Sequence, residues 1–304
     1  MAKYEHTVTK DEYGMSINTI LRLNYRFSAR FKTKIKYQKL IDLNGEPTPG
    51  YIKPGVGDII GVRLPDETSD FEPEDIPLDI IYEDDDLILV NKQPGVIVHP
   101  TKGHPQHTVA NGVMKYMIDS GQSFKVRFAN RIDMDTSGII IVAKNANAQN
   151  ELSSQMRRNT VVKKYYALVE GNVEKDYFDI DLPVGRPDQI SIRREVMYEG
   201  GKNALSEVKV IERYDSPEYG AHTLVEVILH TGRTHQIRVH LSHIGHIITG
   251  DALYGGRTQL IQRQALHAYY IEFDHPMTKE RVCFRTGLPE DIRNAIDKLK
   301  NSAE

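Results

Sequence analysis

Apolar positions along this chain change period several times, and each change marks an element. Ile17, Ile20, Leu21 and Leu23 fall at helical spacing and predict a short helix near the start. A basic run follows (Arg26, Arg30, Lys32, Lys34, Lys36, Lys39), then the apolar Leu40-Ile41-Asp42-Leu43. That stretch ends at Asn44-Gly45, a strong hairpin-turn signal, and Ile59-Ile60-Gly61-Val62 supplies a later strand. Ile80-Ile81-Tyr82 and Leu87 to Lys92 flank the polar turn Glu83-Asp84-Asp85-Asp86 and read as a hairpin. Residues 108–117 and 146–156 have amphipathic helical spacing. Strands are expected at 165–170, 204–213, 222–230, 269–274 and 281–285, with a helix from Ile237 that Gly245 terminates. The order predicts an α+β fold around a central mixed, mostly antiparallel β-sheet, preceded by a small N-terminal α/β module.

One strand stands apart. Ile139-Ile140-Ile141-Val142 is a run of four β-branched residues, the mark of a strand buried on both faces. The turn that feeds it, Asn130-Arg131-Ile132-Asp133-Met134-Asp135-Thr136-Ser137-Gly138, carries a carboxylate between an arginine and Thr-Ser-Gly. A turn feeding a central strand is held rigidly, as a reactive side chain requires. Taken alone, Asp133 also fits a loop aspartate capping nearby N–H groups.

Charge adds a second layer. The 304 residues carry a net charge of −3, which by itself argues against a nucleic-acid partner. The distribution reverses that: residues 1–65 hold eleven Lys/Arg against six Asp/Glu, while residues 66–86 hold eleven acids and no base. Both remaining portions are therefore basic, and phosphates respond to local patches rather than to the total. Residues 66–79, acidic and proline-containing, read as a linker between a module at 1–65 and a main domain at 80–304. There is no long apolar segment or signal-peptide pattern, and a single cysteine excludes internal disulfides, so a soluble cytoplasmic protein is expected. Cys283, in Val282-Cys283-Phe284, is expected to be a buried, inert thiol.

Two further segments change the reading of Asp133: Lys163-Lys164-Tyr165-Tyr166-Ala167-Leu168-Val169-Glu170-Gly171, and Gly232-Arg233-Thr234-His235-Gln236-Ile237-Arg238-Val239-His240, which runs on to Gly250-Asp251-Ala252-Leu253-Tyr254-Gly255. Together with the Asp133 turn, these three ordered motifs resemble those of the RluA-type pseudouridine synthases, closest to the RluD-like branch acting on large-subunit ribosomal RNA. The resemblance spans roughly Ile80 to Leu288. Where that family often has His-Arg-Leu-Asp, this chain has Asn130-Arg131-Ile132-Asp133, so position 130 has no acid–base role. More loosely, residues 1–65 resemble an S4 RNA-binding domain, through the Asn-Gly turn and the terminal Gly-Asp-x-Ile strand; the usual Ser-Arg stands here as Ser28-Ala29-Arg30.

The resemblance implies a pseudouridine synthase fold, isomerisation of uridine to pseudouridine in RNA, no cofactor and no metal. It implies Asp133 as the essential carboxylate, acting as nucleophile or as base, on a base flipped out of the RNA. Arg238 would pair with it and keep it charged against burial. Tyr165 would pack on the extruded uracil, with Tyr166 on the opposite strand face and in the core; a register shift of one would exchange them. Arg131 would enter the RNA stack. Lys163, Lys164, Arg157 and Arg158 read as a basic cluster for backbone phosphates, with Arg30 and Lys32 on the N-terminal module. Arg193 and Arg194 either extend that cluster or lie on a solvated loop. His230, His235 and His240 recur every five residues, so they share no helix or strand face and do not suggest a metal site. His235 reads as a hydrogen-bonding structural histidine. The expected partner is RNA, 23S ribosomal or else transfer RNA, with the protein a monomer. A non-catalytic RNA-binding assembly factor on the same fold is the competing reading, disfavoured because Asp133, Tyr165 and Arg238 are all present.

Overall fold

The computed structural model describes residues 4–302 apart from 26, 28, 65, 66 and 102, and without the side chain of Arg30. The N-terminal unit contains β1 (Tyr4–Thr7), α1 (Ile17–Asn24), α2 (Ala29–Tyr37), β2 (Ile41–Leu43), β3 (Glu46–Pro47) and β4 (Ile59–Val62). Its strands pair antiparallel in the order β1-β4-β2-β3. Ser16 caps α1 by accepting from the Thr19 N–H, one of the donors every helix start leaves free. Ile17, Ile20 and Leu21 pack with Phe27, Phe31, Ile35 and the strands into one small core. Of the basic run, Lys32 and Lys36 are exposed on α2 and Lys39 is exposed just beyond it; Arg26 and the Arg30 side chain lie outside the described residues. Strand β1 escaped the sequence reading because Tyr-Glu-His-Thr offers one large apolar residue and so no alternation to read.

The main unit follows as β5 (Asp79–Glu83), β6 (Leu87–Lys92), α3 (Val109–Asp119), β7 (Arg127–Phe128), β8 (Ser137–Ala143), α4 (Ala146–Arg157) and β9 (Val162–Glu170). It continues with β10 (Tyr177–Asp181), β11 (Val184–Gly185), β12 (Glu195–Val196), β13 (Leu205–Ser216), β14 (Gly220–Leu229) and α5 (Gln236–His243). It ends with β15 (Leu266–Asp274), β16 (Arg281–Arg285) and α6 (Glu290–Asn301). Among the described residues, ten strands form one sheet in the order β10-β13-β14-β9-β15-β8-β6-β5, with β16 joined to β15 and β7 to β8. The fold is α+β and the sheet is mostly antiparallel; the β15–β8 ladder is parallel.

Strand β8 is buried along its whole length. Ile140 and Val142 pack with α3, and Ile139 and Ile141 with α4, which is why every position is β-branched or small. Burying each isoleucine contributes roughly 1.5–3 kcal/mol, so this strand anchors the sheet. Gly138 at its start has φ +118, and an added Cβ would fall 2.2 Å from the Ala268 carbonyl oxygen of β15. Only glycine lets the two backbones approach that closely.

Residues 67–78 carry no regular secondary structure but are tied down at several points. Glu67 pairs with Lys34 of α2 at 2.7 Å and also with Arg127. Phe71 meets His99 edge-on, Glu74 pairs with His107, and Ile76 and Leu78 lie on Gly112 of α3. Two of the acids in this stretch, Glu67 and Glu74, are thus engaged in specific ion pairs.

Cys283 is exposed, contrary to the expected buried thiol. The alternation in β16 holds, but Val282 and Phe284 face the α4-side core and leave Cys283 on the outer face.

Candidate active site

Asp133 sits in the turn between β7 and β8, and its neighbours tie that turn down at several points. The Asn130 side chain donates to the Ile139 carbonyl at 3.0 Å and accepts from the Ile141 N–H at 2.8 Å, so it stands in for a strand partner. The Thr136 N–H donates to the Asp133 carbonyl. Lys92 Nζ donates to the Met134 carbonyl at 2.7 Å and to those of Gln93 and Val96 at 2.8 Å. Arg263 donates to the Asp135 carbonyl at 3.0 Å while both its remaining nitrogens engage Asp291. Ser137 is 2.9 Å from His267 Nδ1. The turn is fixed before any substrate arrives.

Helix α5 brings the cation. It starts at His235, whose φ of 57 is left-handed, and Gln236 staples the start by accepting from Arg233 N–H and donating to the Leu205 carbonyl. Gly245, with φ +86, ends it as expected. Arg238, 6 % exposed, donates from Nε and Nη2 to the two oxygens of Asp251 at 2.7 and 2.8 Å. Its Nη1 reaches Asp133 Oδ2 at 3.1 Å. Burial opposes the charge, but the Asp251 hydrogen bonds and the two carboxylates outweigh it and hold the guanidinium above its ordinary pKa. A fork bound on one side to a buried carboxylate presents its third edge in a single direction.

Tyr165 is buried on β9, and burial, then the charge of Asp133, raise its hydroxyl above the ordinary phenol range. Tyr166 alternates away and stacks on Tyr269 at 3.9 Å. His235 Nε2 lies 3.8 Å from Asp133 Oδ2, and its Nδ1 lies 3.0 Å from the Tyr254 hydroxyl. Burial, opposed by Asp133 and reinforced by Arg238, pulls the imidazole below its usual pKa and favours the neutral form. His240 is buried between Ser206 and the Leu182 carbonyl, and His230 meets Glu207, so the three histidines are separate structural groups. Among the described residues no cluster could hold a metal ion.

The structure thus brings Asp133, Tyr165 and Arg238 into one neighbourhood. Arg131 is exposed two residues before Asp133. Lys163 shares the Tyr165 side of β9, and burial lowers its pKa. Lys164 does not: it alternates away, meets Glu226 at 3.6 Å and lies over Tyr270. Arg157 and Arg158 are exposed at the end of α4, with Arg158 turned toward Glu151, so these four do not form the single cluster expected. Lys32 is exposed on α2, and the Arg30 side chain lies outside the described residues. The sequence reading gave no role to Lys92, Asp251, Tyr254 and Arg263. Asp251 and Tyr254 stood inside a quoted motif, and Lys92 was a charge in an apolar strand; both were available signals.

Known proteins resemble this chain along most of its length. Residues 86–243 match the RNA pseudouridylate synthase family model. The chain is 42% identical over 265 residues to the uncharacterized RNA pseudouridine synthase YlyB of Bacillus subtilis (strain 168), covering 86% of each. It is 39% identical over 256 residues to the ribosomal large subunit pseudouridine synthase D of Neisseria meningitidis serogroup A, covering 80% of this chain and 67% of that one. A solved structure of human RNA pseudouridylate synthase domain containing 1 superposes with a TM-score of 0.58 at 27% identity, over 73% of this chain and 86% of that chain. The chain belongs to the RNA pseudouridylate synthase family. Within it the chain is of the RluA type, an isomerase that converts uridine in RNA to pseudouridine.

Proposed function

We propose that this isomerase acts on large-subunit (23S) ribosomal RNA, on a uridine flipped out of its stack, with Asp133 as the essential carboxylate. The observation that carries the reading is the Arg238 fork, clamped by Asp251 and aimed at Asp133 Oδ2 at 3.1 Å. Isomerisation breaks the N1–C1′ bond, turns the uracil and rebonds it through C5, losing the C5 proton. An ionised carboxylate beside the sugar serves as nucleophile or base, and a fixed cation keeps it ionised without reorganising during the reaction. Tyr165 packs against the extruded base, and stacking of this kind is worth about 1–3 kcal/mol per base without reading its identity. The reaction needs neither metal nor cofactor. Residues 1–65 serve as an RNA-binding module joined through 66–79 to the catalytic domain at 80–304, and the exposed lysines of α2 support that assignment. The protein works as a cytoplasmic monomer; among the described residues no helix is long and apolar enough to cross a membrane. The large-subunit assignment draws on the resemblance to pseudouridine synthase D.

The test is tritium release from total RNA labelled at uridine C5, comparing wild type with Asp133→Asn. Release that the substitution abolishes is expected, and fractionation should place it in 23S RNA. Release confined to transfer RNA would overturn the substrate, and equal release by Asp133→Asn would overturn the role of the carboxylate.

A further inference from the structure

One excursion from the sheet stands directly beside this site. β11 and β12 pair Val184 with Val196 and Gly185 with Glu195, and they carry residues 186–194 as a hairpin tip. The root packs through Val184 and Val196 against Val239 of α5 and Tyr254. The tip organises itself. Asp188 accepts from the Ile190 and Ser191 N–H groups at 2.7 and 2.6 Å, and Arg186 Nε donates to the Ser191 carbonyl at 2.7 Å. Arg194 Nη1 donates to the carbonyls of Ser191, Ile192 and Arg193. This framework leaves Ile190 and Ile192 facing solvent, 91% and 72% exposed.

Tyr254 ties the tip to the reactive carboxylate. Its hydroxyl accepts from the Arg194 N–H at 2.9 Å, donates to the Arg194 carbonyl at 3.1 Å, and lies 3.0 Å from His235, whose other ring nitrogen faces Asp133. Arg193 and Arg238 each lie 5.0 Å from the Tyr254 ring centre. The path from Arg194 to Asp133 is therefore two side chains long.

The composition of the tip selects its occupant. Three arginines stand against one aspartate, whose carboxylate is taken up by backbone N–H groups, so the tip is cationic and suits phosphates. Aliphatic side chains carried into water on an ordered backbone suit the faces of unstacked bases, where apolar wedges are known to insert. Extruding a uridine leaves such faces on either side of the gap.

We propose that the 184–196 hairpin grips the RNA flanking the target uridine, with Ile190 and Ile192 against unstacked bases, and that Tyr254 keeps this grip in register with Asp133. The proposal rests on the reading of Asp133 given above. It is tested in the full chain with the double variant Ile190→Asp/Ile192→Asp, whose exposed positions leave the melting temperature in place. Retention of deproteinised ribosomal RNA on filters is measured in an Asp133→Asn background, and KM for tritium release in the active enzyme. RNA affinity should fall about tenfold or more, with KM rising to match, as expected when two apolar contacts are lost and two negative charges are set against phosphate. Unchanged affinity and KM would overturn the grip. Tyr254→Phe keeps the ring and removes the hydroxyl; kcat should fall about tenfold with a smaller change in RNA affinity, and an unchanged kcat would overturn the register. Should the wild type release no tritium while the double variant still loses RNA affinity, the catalytic reading fails and the RNA grip stands.

Discussion

Arg238 gives two of its hydrogen bonds to Asp251, and its contact with Asp133 is made by the one nitrogen left over. Asp251 is 1% exposed, so it depends on the guanidinium as much as the guanidinium depends on it. Arg238→Ala strands that carboxylate and should cost about 3–5 kcal/mol. Asp251→Asn keeps the shape and one acceptor, so a loss of about 2 kcal/mol is expected. Both should lower tritium release at least tenfold. Urea midpoints give the stabilities; wild-type activity in Asp251→Asn would mean that Asp133 orients the arginine unaided.

Lys92 is fully buried and bonds three carbonyls on two segments, one of them next to Asp133. Burial lowers its pKa to about 7, while Asp135 and Asp133 act to keep the ammonium charged. Lys92→Met fills the space but takes the ammonium donor from the Gln93 and Val96 carbonyls and leaves Met134 with the Gly95 N–H alone. A destabilisation of about 3 kcal/mol is expected, together with a fall in kcat as the turn loosens. Chemical denaturation and single-turnover rates would show both; loss of stability with full rate would separate the turn from the chemistry.

His267 bridges Ser137 beside the Asp133 turn and Thr286 after β16. Burial, helped by Arg263, depresses its pKa from 6.5 to about 4. The unfolded chain binds a proton below about pH 6.5, while the folded one resists until about 4. Its stabilising effect is complete above pH 6.5 and is lost as the pH falls toward 4, on the order of 3 kcal/mol. His267→Gln should remove that part of the acid dependence, which melting curves of the two proteins between pH 4 and 7.5 would reveal. Parallel curves would count against it.

Gly138→Ala would set a Cβ against the Ala268 carbonyl at a left-handed φ. A loss on the order of 4 kcal/mol is expected, seen as a large drop in melting temperature or as insoluble protein. A melting temperature within a few degrees of wild type would mean that β8 and β15 can separate at little cost.

Much of the sheet was legible because its signals are local. The run from Ile139 to Val142 announced a doubly buried strand, and the helix from Ile237 to Gly245 carried its own stop. Motif resemblance singled out Asp133, Tyr165 and Arg238, which the structure brings together. The support around them was not legible. Asp251 and Arg263 act on residues 13 and 128 positions away, a relation no local pattern encodes. Period-two alternation gave the residues of β16 that share a face but not the face that points inward, hence the error at Cys283. Lys164 shows the same limit from the other side: four basic residues close in sequence were separated by alternation and by a helix end.

The parallel β15–β8 ladder joins two groups of strands, one carrying Asp133 and the other supporting Tyr165, Arg238 and Asp251. Asp133 and Arg238 are 105 residues apart, and contacts of that range close late because the chain must first be ordered between them. A nascent or half-denatured molecule therefore carries an aspartate without its arginine. With Asp133 in the role proposed above, reactivity toward RNA would be a certificate of completed folding, issued only when that one seam has zipped shut.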